Sequence, residues 1–170
     1  MDIVAIDFEA SCLPQHGRSF PIEVGLCDGA RTASWLIAPL ADWSDWGWTQ
    51  EAQALHGIKR SDLASLGQAP HRIVAEMERF VRGRRIVADS ILDQYWLDLL
   101  YRAAGGPPVA RIDHVALLLD ELGADATQIE EACAAADARG FQRHRAAGDA
   151  CWLADVLGAL GAGRRLAAAA

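Results

Sequence analysis

Asp7 and Glu9 stand two apart at the end of the apolar run Ile3-Val4-Ala5-Ile6. In a strand, residues i and i+2 share a face, so both carboxylates project from one side of what reads as a buried first strand. Like charges this close repel and are costly to desolvate unless a cation lies between them. The simplest such cation is a divalent metal, and hard oxygen ligands favour magnesium or manganese. The plainer alternative is a pair of solvated acids at a strand end. Near the other end of the chain, His144 and Asp149 flank Arg145-Ala146-Ala147-Gly148. Five apart on one helix, they would lie about 140° from each other. Both reach one site if a helix begins near Gly148, with His144 on the loop before it and Asp149 in the first turn. A histidine titrates near neutral pH and suits a general base. Asp93 is a third acid at a strand end, opening a helical stripe; its plainer role is to complement a helix dipole.

The elements that hold these residues follow from periodicity. Residues 3–8 read as a buried strand. Residues 20–27 read as a second, alternating strand, closed by the turn signal Asp28-Gly29. Residues 33–38 read as a third, and tight connections between the three suggest an antiparallel meander. The period then changes. Ile73, Val74, Met77, Phe80 and Val81 fall at helical spacing, and 85–88 is a short strand. Leu92, Tyr95, Trp96, Leu99 and Leu100 mark a helix that stops at Gly105-Gly106-Pro107-Pro108. Val115, Leu118, Leu119 and Leu122 mark another, closed at Gly123; residues 129–138 form a helix of small residues; Leu153, Val156, Leu157 and Leu160 mark the last. This order predicts an α/β fold, a mixed sheet with helices packed on it. Without linker or repeat, it reads as one domain over 1–166 with a tail at 167–170.

A chain of 170 residues, 52% hydrophobic, has room for a real core. Its net charge of −7 argues against broad, non-specific duplex binding. Basic residues do cluster locally, at Lys59-Arg60, at Arg82 with Arg84-Arg85, at Arg139 with Arg143 and Arg145, and at Arg164-Arg165. Cys12, Cys27, Cys133 and Cys151 are scattered without a C-x-x-C, so reduced thiols and a cytoplasmic location are expected. No leader and no membrane-length apolar run is read, so no membrane partner is expected.

Three segments together resemble the motifs of the DEDDh 3′→5′ exonucleases, the DnaQ-like and RNase T-like nucleases. They are Asp7-Phe8-Glu9, Asp93 with Trp96-Leu97 after it, and His144-x-x-x-x-Asp149-Ala150. Pro21-Ile22-Glu23-Val24-Gly25 resembles the family's second strand. Glu51-Ala52-x-Ala54-Leu55-His56-Gly57-Ile58 resembles its A-x-x-I-H-G-I segment. The likeness spans nearly the whole chain. One departure stands out. The second motif, often H-N-x-x-F-D, reads Asp89-Ser90-Ile91-Leu92-Asp93, one residue shorter and without His-Asn. The downstream Trp96-Leu97 assigns the acid to Asp93, with Asp89 as the alternative.

The resemblance implies a ribonuclease H-like mixed sheet with an antiparallel three-strand meander and flanking helices. It implies two Mg2+ or Mn2+ ions, the first on Asp7, Glu9 and Asp149, the second on Asp7 and Asp93. His144 would deprotonate the attacking water, and nucleoside 5′-monophosphates would leave from single-stranded DNA or RNA 3′ ends. Phe8, Ala10, Leu55, His56, Ile58 and Arg145 would contact the substrate. Trp43, Trp46 and Trp48 read as cover for the core. A homodimer, the choice of sugar, a catalytically weak binding domain and a small-molecule phosphodiesterase stay open as alternatives.

Overall fold

The N-terminal apolar run forms β1 (Ile3–Ala10), and the computed structural model describes residues 2–162. The tail at 167–170, the domain end at 166 and Arg164-Arg165 lie outside the described residues. β2 (Pro21–Cys27) pairs antiparallel with β1, placing Gly25 opposite Asp7 and Glu23 opposite Glu9. β3 (Thr32–Leu36) pairs antiparallel with β2. On the other side β4 (Arg85–Ala88) and β5 (Ile112–His114) add in parallel, giving the five-stranded order β3-β2-β1-β4-β5. β1 is therefore central, which is why its sequence is nearly continuously apolar until Asp7.

Helices α1 (Gln50–His56) and α2 (Arg60–Leu66) follow the meander. α3 (Pro70–Val81) opens with proline, whose missing N–H costs nothing in a first turn, and buries Ile73, Val74 and Met77. α4 (Leu92–Ala103), α5 (Val115–Leu122), α6 (Ala126–Asp137) and α7 (Ala146–Ala159) complete the described helices. Strand alternation sorts β1 into two cores. Val4, Ile6 and Phe8 pack with Ile22, Val24 and Leu26 against α3 and α4. Ile3 and Ala5 face the other way, onto Leu118, Leu122, Leu153 and Leu157 of α5 and α7. The three tryptophans close the first core. Trp43 stacks on Phe20 with centroids 5.3 Å apart, and Trp46 and Trp48 pack beside them.

Four sequence expectations are corrected. The connection between β1 and β2 is not tight: residues 11–20 carry a 3-10 turn at Pro14–His16, and the main chain of Ser11 returns to Phe20. β3 ends at Leu36 rather than at 38: Ile37 still donates to the Ile22 carbonyl at 2.9 Å, but it also bridges Gln68 in parallel, and the chain turns away there toward α2 and α3. β5 was missed because three half-buried residues show no alternation. α7 starts at Ala146, two residues earlier than expected, because β2 supplies its seat.

Candidate active site

Asp7 and Glu9 continue the Ile3–Ala5 face of β1 toward the start of α7. On the same face of β2 stand Gly25 and Glu23. A Cβ at Gly25 would collide with the Ala146 carbonyl, so glycine lets α7 rest directly on the strand. Glu23, 3% exposed, is the second half of the seat. Its carboxylate accepts from Nε and Nη2 of Arg145 at 3.0 and 2.6 Å and from the N–H of Ala146 at 3.1 Å. This bidentate, charge-assisted clasp fixes where α7 begins. Asp149 then falls in the first turn of α7. Its Oδ2 accepts the N–H of His144 at 2.7 Å, and its Oδ1 lies 2.6 Å from Nε of Arg143. His144 is exposed and has φ 60°, a left-handed bend that brings its main chain over the helix start.

The carboxylates form two clusters with one member in common. Oxygens of Asp7, Glu9 and Asp149 lie within 4.8 Å of one another, and so do oxygens of Asp7, Asp89 and Asp93. Asp93 opens α4 and is 1% exposed; its Oδ2 has no hydrogen-bond partner. Main-chain N–H groups of Phe8 and Ser90 donate to its carboxylate and tie α4 to β1. Asp89 is exposed at the end of β4. The second motif is not shortened: counted from Ala88, residues 88–93 fill all six positions of H-N-x-x-F-D, and Asp89 stands at the asparagine. Asp89 and Asp93 are thus joint members of one cluster rather than alternatives.

Crowding raises the proton affinity of the cluster. Burial, then Asp93, Glu9, Asp149 and Asp89, hold the Asp7 carboxyl well above its usual range. Burial and Asp149 push Glu9 up to about 7, against the lowering effect of Arg145. Burial and Asp89 push Asp93 up to about 8. Burial also raises Asp149, although Arg143 and the His144 N–H oppose it. Acids so placed ask for a cation.

Beside Glu9 opens a largely apolar cavity of about 710 Å3, walled by Phe8, Ala10, Leu55, His56 and Trp96. Leu55 is exposed. His56 ends α1, accepts the Ile58 N–H on Nδ1 at 3.0 Å, and leaves Nε2 buried without a partner; burial lowers its pKa. The local hydrogen bond and the place on the cavity wall are both present. Two expected substrate contacts are not brought there. Ile58 is 4% exposed within the first core, because the turn after Gly57 points it inward. Arg145 is clasped by Glu23 instead of standing free. Sequence reasoning missed that clasp. An acid amid an otherwise apolar, wholly buried strand was the signal, but its partner lies 122 positions away.

No protein-family model matches this sequence, and no curated protein matches it. Solved structures do. A 3′-exonuclease described with a histone mRNA stem-loop is 14% identical, with a TM-score of 0.63, over 91% of this chain and 78% of that one. S. pombe Pop2p, in a Mg2+- and Mn2+-bound form, is 12% identical with a TM-score of 0.65, over 97% and 84%. E. coli exonuclease I in complex with a dT13 oligonucleotide is 12% identical with a TM-score of 0.59, over 98% of this chain and 42% of that one. At such identities the likeness is one of fold. The chain has the fold of the DEDD-type 3′→5′ exonucleases, a ribonuclease H-like mixed sheet with flanking helices.

Proposed function

We propose that this protein is a metal-dependent 3′→5′ exonuclease acting on single-stranded nucleic acid ends. The observation that carries this reading is the pair of carboxylate clusters sharing Asp7 at the end of the central strand. The donor set fits magnesium or manganese. All its ligand atoms are hard carboxylate oxygens, and Asp93 Oδ2 is buried without a partner. Asp7, Glu9 and Asp149 would hold one ion, and Asp7 with Asp93 the second; bound there, the ions supply charge neutralisation for the phosphate and acidify the attacking water.

The remaining steps belong to side chains of this protein. His144, exposed on the loop ahead of α7, takes the proton of the attacking water. Glu23 and Arg145 keep Asp149 in register with Asp7 and Glu9. Phe8, Ala10, Leu55 and His56 receive the terminal nucleoside, stacking its base without choosing among bases. The water oxygen bonds to phosphorus, the bond to the preceding 3′-oxygen breaks, and one nucleoside 5′-monophosphate leaves. Pop2p bound to Mg2+ and Mn2+ and exonuclease I bound to dT13 support the choice of ion and of ligand.

The test is a time course on single-stranded RNA and DNA labelled at the 5′ end, with magnesium, with manganese and with chelator, beside Asp7→Ala. A metal-dependent ladder shortening from the 3′ end, lost in the variant, is the expected result and reads out the sugar preference. Oligonucleotide retention without any ladder would replace the enzyme with a binding domain. Turnover of small phosphodiesters alone would replace the substrate.

A further inference from the structure

Asp89 adds a fifth acid to the four that the proposed site requires. It stands four positions before Asp93, and its carboxylate comes within 4.8 Å of oxygens from both Asp7 and Asp93. The backbone there is held from two directions. Ser90 Oγ accepts the Leu92 N–H at 3.1 Å, and His114 Nε2 donates to the Asp89 carbonyl at 3.0 Å. The His114 tautomer is set because Nδ1 accepts the Ala116 N–H at 3.2 Å. Among the described residues no cation pairs with the Asp89 carboxylate. The independent sign of a ligand is Asp93 itself, 1% exposed, in the same cluster, with Oδ2 unpartnered. A buried carboxylate oxygen without a donor is costly, and a neighbouring anion makes it costlier.

Carboxylate number decides when such a site fills. Magnesium is usually held by one or two carboxylates together with substrate phosphates, because it gives up water reluctantly. Asp7, already shared with the first cluster, and Asp93 would make a site of that kind, completed by the incoming phosphate. A third carboxylate supplies the missing ligand and charge from the protein. We propose that Asp89 is a third carboxylate ligand of the Asp7–Asp93 site and lets that site hold its divalent cation before substrate arrives. This rests on reading the clusters as metal sites, as in the proposed function.

The test is a calorimetric titration of the purified protein with Mn2+ in the absence of nucleotide, cross-checked by the spin-resonance signal of free Mn2+. Wild type, Asp89→Asn, Asp89→Ser and Asp93→Asn are compared, with melting curves to confirm folding. Wild type takes up two equivalents. Both Asp89 variants keep one equivalent at wild-type affinity and weaken the second by at least about tenfold, an effect that even residues behind the ligands command. Asp93→Asn weakens the same equivalent. Two equivalents at unchanged affinity in both Asp89 variants would overturn the proposal while leaving the metal reading intact. A wild type that takes up one equivalent would overturn it as well. A wild type that binds no Mn2+ would overturn the metal reading and this inference together, and is told apart by the silence of every variant.

Discussion

Two buried carboxylate environments at opposite ends of the sheet answer the same problem differently. Asp28, just past β2, is 8% exposed and fully provided for. It accepts from the N–H groups of Ala30 and Arg31, from the Arg31 guanidinium, and from Arg84 Nη1 at 2.6 Å. Burial alone would raise it, but Arg84 and Arg31 overcome burial and hold it well below the usual carboxylate range. Around Asp7 the same burial meets only more acids, apart from the clasped Arg145 and the Arg143 that reaches Asp149. Burial of an acid thus says little about function. A set of buried acids lacking matching cations is what marks a site.

The comparison can be broken by substitution. Asp7→Ala should lower nuclease activity by on the order of 10³, the scale of losing a preorganised electrostatic group, whereas Asp28→Ala should leave activity per folded molecule unchanged. Steady-state rates on a labelled oligonucleotide decide this. Stability should show the opposite ranking. Asp28→Ala strands Arg84 and should cost about 3 kcal/mol in a denaturant titration, while Asp7→Asn should raise the melting temperature of metal-free protein at alkaline pH. An Asp7→Asn that destabilises would mean the cluster is satisfied after all.

A pH series separates the two environments without mutation. The acids near Asp7 bind protons more tightly folded than unfolded. Their contribution is therefore complete below about pH 4 and is lost as pH rises through about 7 for Glu9 and about 8 for Asp93. Asp28 has the reverse sign: its contribution is present above about pH 4 and is lost as pH falls toward its depressed value. Metal-free protein should lose on the order of 2 kcal/mol between about pH 5 and pH 8, and saturating Mg2+ should restore it. Thermal melts with and without metal read both. A melting temperature that climbs over that window without metal would contradict the raised affinities.

Smaller effects sharpen the picture. Glu23→Gln keeps an acceptor for Ala146 but weakens the hold on Arg145, and should raise the Mn2+ midpoint and lower activity about tenfold. Equal Mn2+ binding by the variant would show α7 to be seated without the clasp. Leu55→Ala should raise KM about fivefold with kcat nearly unchanged, because it removes one wall of stacking. A kcat loss instead would place Leu55 closer to the chemistry.

What the sequence revealed depended on the range of each interaction. Asp7 and Glu9 were legible because strand alternation puts i and i+2 on one face, and Asp149 because a helix start had to lie near it. The meander, the central strand and most helices were legible from local periodicity. β5 was not, since three residues carry no period. Nor was the Glu23–Arg145 clasp, which joins strand to helix across most of the chain. Ile58 is expected at the substrate from its resemblance to a motif, yet after the turn at Gly57 it lies buried in the first core. Asp89 was seen as a rival to Asp93 because spacing lines up residues one at a time, whereas the fold brings both carboxylates to Asp7 together.

The seating of α7 on Gly25 and Glu23 also sets an order of events in time. Asp7, Glu9, Asp89 and Asp93 are all synthesised and able to join the sheet before Asp149 exists. Only when α7 has emerged and docked does the third carboxylate of the first cluster arrive, carrying His144 with it. A growing chain therefore carries an incomplete first cluster until α7 has docked on β2.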